Sequence, residues 1–342
     1  MRSKPEPGRL TPSKRTAGAG LAVLLCTACA QAPLATMAGP PPTSYTAETT
    51  HAKLAPGYPG IRIASRAVPD GVTAVRDITY VRYGTRSLQL DLYLPSAPGG
   101  KPAPGIVFVH GGGWRVGVRE NFAPMAIRMA QHGYAAATIS YRLAGEAPFP
   151  AAVLDARAAV RWMRTHGARH GIDPRRIALA GGSAGGQIAT LAGMASRIPG
   201  FDPADRSSGI SGDVQAVVDI DGLSDFEAEV WRLRAGPAPG QPAAWSAWFG
   251  GWFQGANDAL PALWRAASPV THAGPGSPPF LFIGSSIPRY GAGHEQLIGK
   301  LHAAGIAADA RILPGTPHSF WLFDPWLAPT VDATVSFLRR HL

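Results

Sequence analysis

Between residues 73 and 95 apolar and polar side chains take turns along the chain. TAVRDITYVRYG (73–84) and SLQLDLYLP (87–95) place an apolar residue at nearly every second position. That period predicts two antiparallel strands with one face against a core. The pattern then changes. GIVFVH (105–110) is an unbroken apolar run, the mark of a strand covered on both faces. Similar runs occur at YAAATISY (134–141), RIALAG (176–181), VQAVVDID (214–221), PFLFIG (279–284) and ADARILP (308–314). Between them NFAPMAIRMAQHG, AAVLDARAAVRWMRTHG, AGGQIATLAGMAS, GHEQLIGKLHAAG and APTVDATVSFLRRHL carry helical spacing. Strands alternating with helices predict an α/β fold: a mostly parallel eight-stranded sheet with helices on both faces.

Three stretches depart from this rhythm. Residues 1–38 run from a basic start through the small apolar AGAGLAVLLCTACA to a small-residue exit, the form of an export signal. Ala28-Cys29-Ala30 offers a cleavage site; lipid attachment at Cys29 is the alternative, with Cys26 where such boxes usually carry Leu. Periplasmic or extracellular placement is expected by either route. Membrane attachment is expected only through a lipidated Cys29. Residues 39–70 are broken by Pro and Gly and read as a linker and lead-in strap to a domain spanning 71–342. Residues 226–270, dense in Trp and Gly, fall between two strands at the end of the sheet where ligands bind, and read as a short cap or binding loop.

Composition narrows the chemistry. Both cysteines, Cys26 and Cys29, lie in the leader, so the remaining chain has no thiol nucleophile, thiolate metal site or disulfide. The formal charge of +10 includes a net +4 from residues 1–16, leaving about +6 for the rest. No basic run interleaved with aromatics suggests a nucleic-acid partner. No His/Asp/Glu cluster has metal-ligand spacing, and no cofactor is expected.

Three motifs remain. In RIALAGGSAGGQIATLAG (176–193) a buried strand runs through Gly181-Gly182-Ser183-Ala184-Gly185 directly into a helix. Such a turn presents a serine hydroxyl at the top of a sheet, in front of a helix N-terminus. FVHGGGWRVG (108–117) ends another buried strand, where successive glycines let main-chain N–H groups approach a substrate oxygen. Gly112, Gly113 and Ala184 are the candidate oxyanion donors, and His110 reads as a loop anchor. RILPGTPHSFW (311–321) sets His318 after the last strand, the position of a general base in Ser…acid…His order.

HGGGW followed by SYRLAGEAPFPAAVLDARAAVRWMRTHGARHGIDPRRIALAGGSAGG resembles α/β-hydrolase-fold serine esterases of the hormone-sensitive-lipase and feruloyl/acetyl-xylan esterase type. PPFLFIGSSIPRYGAGHEQL with TPHSFWLFDPW is more loosely similar to exported carbohydrate esterases of the pectin acetylesterase kind. The resemblance implies Ser183 as nucleophile, His318 as base, and an acid a few residues beyond PFLFIG. Ile287 stands in that acid's place. Asp221, at the end of the preceding strand, is the first choice for a relocated acid, with Asp225 and Glu295 as alternatives. Asp219 is expected to brace the strand or face away from the site.

Around the site, Arg289 is either a partner for a uronate carboxylate or an exposed arginine. Trp114 either walls the acyl pocket or packs in the interior. Trp245, Trp248, Phe249, Trp252 and Phe253 either stack on sugar rings or form the small core of the cap. The expected activity is a serine esterase on short-chain, preferably acetyl, esters of plant-wall carbohydrate such as pectin or xylan. A general carboxylesterase on small aliphatic or aryl esters is the alternative. From another class, a carbohydrate-binding protein with a decayed triad would also account for Ile287.

Overall fold

The apolar runs in the middle of the chain become strands whose alternate side chains enter two different cores. The computed structural model describes Met1 and residues 44–96, 100–228, 252–253 and 261–342. The strands are β1 (Val72–Tyr83), β2 (Arg86–Pro95), β3 (Ala103–Val109), β4 (Ala135–Ile139), β5 (Ile172–Gly182), β6 (Ala216–Ile220), β7 (Phe280–Ser285) and β8 (Ala308–Leu313). They form one sheet in the order β1-β2-β4-β3-β5-β6-β7-β8. Among these strands only β2 runs against its neighbours; the other pairings are parallel. Val107, Val109, Leu179 and Phe282 enter one core, while Ile106, Phe108, Ala180 and Ile283 enter the other. The two-faced burial predicted for GIVFVH is thereby realised.

Helices α3 (Ala151–His166), α4 (Ala184–Met194) and α7 (His294–Ala303) cover the first core, and α2 (Ala123–Gln131) and α8 (Leu327–His341) the second. The edge strand β8 departs from the expectation for ADARILP. Its middle residues are exposed, and Asp309 pairs with Arg340 of α8. Polar side chains are tolerated there because one side of an edge strand faces water.

Residues 44–64 do more than lead in. Helix α1 (Ala47–Leu54) starts at a reciprocal capping box of Thr46 and Thr49. Arg62–Ile63 then pair antiparallel with Phe323–Asp324, and the Ala64 N–H donates to Leu322 O at 3.0 Å. The segment is thus stitched to the chain just beyond His318. Helix α5 (Pro203–Ser208) precedes the cap interval and α6 (Pro261–Ala267) falls near its end. Trp252 and Phe253 are described; Trp245, Trp248 and Phe249 lie outside the described residues, as do Cys26 and Cys29.

Candidate active site

β5 runs straight into α4 through one residue, Ser183, at φ 57° and ψ −124°. A non-glycine residue held there costs about 1–3 kcal/mol, sustained only because the surroundings over-determine it. Crowding explains the flanking glycines. A Cβ on Gly181 would sit 2.2 Å from Gly185 O, and one on Gly185 would sit 2.0 Å from Val109 O. The Ser183 N–H is held by Ile220 O at 2.8 Å, which ties the turn to the end of β6.

His318 lies in the turn after β8. Its Nε2 is 2.9 Å from Ser183 Oγ, and its Nδ1 is 2.9 Å from Asp221 Oδ2. Asp221 comes directly after β6 at φ 53°, another left-handed residue. Its other carboxylate oxygen, Oδ1, accepts the Ser285 N–H at 2.7 Å. Ser285 ends β7, the strand after which the resemblance places the acid. The turn without a carboxylate therefore contributes an N–H that aims the carboxylate of the neighbouring strand.

The other acids stand elsewhere. Asp225 accepts the Glu227 N–H at 2.9 Å, closing its own loop. Glu295 is exposed in the first turn of α7, where the helix field explains a carboxylate. Neither is bonded to His318, which corrects their candidacy as the acid. Asp219 is fully buried; it accepts the Gly222 N–H at 2.7 Å and the Thr190 hydroxyl at 2.8 Å. Burial raises its pKa, opposed by His294 and these hydrogen bonds. It braces the turn that carries Asp221.

The His318 pKa is lowered, chiefly by burial. The hydrogen bond and charge of Asp221 oppose the shift, and the charge of Arg289 adds to it. The net shift favours the neutral ring, the form that accepts a proton.

Gly112, Gly113 and Ala184 line a cavity of about 310 Å³ together with Ser183 and His318. The glycine loop is folded hard on itself. Gly112 O accepts the N–H groups of Arg115 and Val116, and a Cβ on Gly112 would lie 2.0 Å from Val116 O. His110 anchors the loop: its Nδ1 is 2.7 Å from Gly111 O, and its ring stacks on Tyr141 at 4.4 Å. Burial pushes its pKa down to about 4.

Trp114 lines the cavity, and its Nε1 donates to Gln187 Oε1 at 3.0 Å. Behind it Trp252 stacks at 4.8 Å and 19°. Trp252 is fully buried among Phe149, Phe226 and Phe253, so it backs the wall and offers no face to a ligand. That corrects its candidacy as a substrate contact. Arg289 is exposed and borders the cavity.

Six lining residues are not marked as site residues by the sequence, Val116 and Leu223 among them. Tyr290 stacks on His318, and Ser44, Tyr45 and Lys53 come from the lead-in segment. Tyr45 shares a 2.9 Å hydrogen bond with Ser319 Oγ, beside the histidine, and its carbonyl accepts from Asn121 Nδ2 at 3.1 Å. No motif marks Tyr290 or these lead-in positions, because they reach the site only through tertiary contact.

The BD-FAE family matches residues 90–287. Esterase LipC of Mycobacterium tuberculosis is 32% identical over 291 residues, covering 81% of this chain and 70% of LipC. Esterase LipQ of the same organism is 29% identical over 250 residues; the match covers 71% of this chain and just over half of LipQ, 56%. The butyrate-bound thermophilic esterase Est2 of Thermogutta terrifontis superposes with a TM-score of 0.62 at 23% identity, covering 79% of this chain and 94% of that one. This last likeness establishes the α/β-hydrolase fold. With the matched family and LipC, it makes the chain an α/β-hydrolase-fold esterase of the BD-FAE family.

Proposed function

We propose that the chain hydrolyses short-acyl carboxylic esters of small aliphatic or aryl alcohols through a Ser183–His318–Asp221 acyl-enzyme cycle. One observation carries this reading: the unbroken relay from Ser183 Oγ through both nitrogens of His318 to Asp221 and on to the Ser285 N–H.

His318 Nε2 takes the hydroxyl proton as Ser183 Oγ bonds to the ester carbonyl carbon. The oxygen gains the carbonyl electron pair and meets the N–H groups of Gly112, Gly113 and Ala184, helped by the N-terminus of α4. His318 passes its proton to the leaving alcohol. Water then repeats the sequence on the acyl-enzyme and frees Ser183. Asp221 holds the tautomer with hydrogen on Nδ1 and stabilises the transient imidazolium. Ser183→Ala, assayed on p-nitrophenyl acetate, is expected to abolish both burst and turnover; retained turnover overturns the assignment.

A second reading, acetyl esters on an acidic plant-wall sugar, is favoured by Lys53 and Arg289 at the cavity. A guanidinium pairs well with a uronate carboxylate. Acetylated pectin should then outpace both acetylated xylan and p-nitrophenyl acetate. A binding protein without turnover would instead show sugar affinity and no acyl-enzyme. Export is a separate proposal, supported by the composition of residues 1–38. Cell fractionation and the N-terminal sequence of the mature protein test it, and mass spectrometry distinguishes cleavage from lipidation at Cys29.

A further inference from the structure

The turn that lacks an acid supplies an aromatic ring. Residues Pro288–Gly291 form a single 3-10 turn after β7 and bring Tyr290 over His318. The two rings lie nearly parallel, 9° apart, with centroids at 3.4 Å. Trp321 meets the imidazole at 87° and 5.4 Å. Arg289 Nη2 donates to the Tyr290 hydroxyl at 2.7 Å, so the phenol is itself tethered.

Hydrogen bonds at Nδ1 and Nε2 hold two separated points of the imidazole. Both partners meet the ring at its edge and leave its two faces unheld. A ring pressed flat on one face blocks the out-of-plane swing about Cα–Cβ and Cβ–Cγ that would carry Nδ1 off Asp221 and Nε2 off Ser183. An aromatic face also attracts a cation. The imidazole becomes cationic only after it has taken the serine proton, so this attraction strengthens along the reaction. The local charges are mixed: Asp221 favours the cation and Arg289 opposes it.

We propose that Tyr290 is a positioning residue for His318: its ring holds the imidazole in the plane joining Asp221 to Ser183 and favours the imidazolium as it forms. The inference rests on the acyl-enzyme cycle of Ser183, His318 and Asp221. It departs from a plain cavity-wall role, which would act on substrate affinity alone.

Tyr290→Leu keeps bulk and removes the π face, whereas Tyr290→Phe keeps the face and removes the hydroxyl. With p-nitrophenyl acetate, Tyr290→Leu is expected to lower kcat about tenfold while KM stays within about twofold. Tyr290→Phe should remain within about twofold of the parent in both constants. In NMR spectra of the His318 ring, the Leu variant should move the carbon-bound ring protons downfield as the ring current is lost, and the Phe variant should not. Should Tyr290→Leu fail to fold, Tyr290→Met carries the same expectations. The proposal is overturned if the Leu variant keeps its kcat, if only KM changes, if Phe falls as far as Leu, or if the ring protons do not move. Ser183→Ala separates the two ideas: its turnover reports the nucleophile, while the ring-proton shift reports the stack whichever residue attacks.

Discussion

Replacing Asp221 with Asn removes one charge with almost no change of shape, and the surrounding hydrogen bonds dictate which way the new amide must face. Oδ1 accepts the Ser285 N–H at 2.7 Å. An asparagine must therefore keep its carbonyl oxygen toward Ser285, because its NH2 group cannot accept that hydrogen. The NH2 group is then left facing His318 Nδ1, where the carboxylate oxygen lay 2.9 Å away. Two donors cannot share that contact, so the imidazole shifts its hydrogen to Nε2. In that tautomer Nε2 cannot take the Ser183 proton, and the stabilising charge behind the imidazolium is gone as well. In a serine protease of the same triad chemistry, this change costs about 10⁴ in kcat. A comparable loss here corresponds to about 5.5 kcal/mol of transition-state stabilisation. The assay is steady-state hydrolysis of p-nitrophenyl acetate by Asp221→Asn, Asp225→Asn and Glu295→Gln in parallel. The first should lose about four orders of magnitude, and the others should stay within about twofold. Less than about a tenfold loss for Asp221→Asn, or an equal loss for either of the others, refutes the reasoning.

The same geometry makes three further outcomes testable. Arg289→Gln removes a charge that lowers the His318 pKa, so that pKa should rise. Because the neutral ring is the active form, the acidic limb of kcat/KM should move to higher pH, and by less in added salt; movement to lower pH contradicts the assignment. Gly112→Ala puts a methyl group 2.0 Å from Val116 O at a φ of 122°, so the glycine loop must shift; kcat on the same ester should fall about 10²-fold or more, as when an oxyanion donor is lost. Trp252→Ala empties a fully buried position in the aromatic cluster and should cost about 3–5 kcal/mol in urea denaturation, with any change in KM arising from the loosened Trp114.

The sheet is legible in the sequence because its pattern has a local cause. Strands buried on both faces need unbroken apolar runs, and the runs at 105–110, 176–181, 214–221 and 279–284 all become strands. β8 reads less well, since an edge strand is free to alternate polar and apolar residues, as Asp309 and Arg311 do. Ser183, Gly112, Gly113 and His318 can be located because each sits at a strand end that the pattern already marks. The carboxylate is harder. Asp221, Asp225 and Glu295 all come after strands on the correct side of the sheet, and only tertiary contacts, with His318 Nδ1 and the Ser285 N–H, distinguish the first. Tyr290 and Tyr45 are illegible for a different reason. Each reaches the site through contacts with residues far away in the chain, and such contacts leave no periodic trace. Trp252 shows the converse error: a tryptophan in a glycine-rich insert is as suited to an interior as to a sugar.

β6 and β7 lie side by side in parallel, with Ile220 opposite Ile283 and the Asp221 N–H bonded to Ile283 O at 2.8 Å. Neighbouring strands are only about 4.8 Å apart, so one histidine can be served from either strand tip. A lineage carrying acids at both tips would stay active while either one was lost. A third triad member could then move between the tips without an inactive intermediate, leaving the other tip open to a group such as Tyr290 that meets the base from its face.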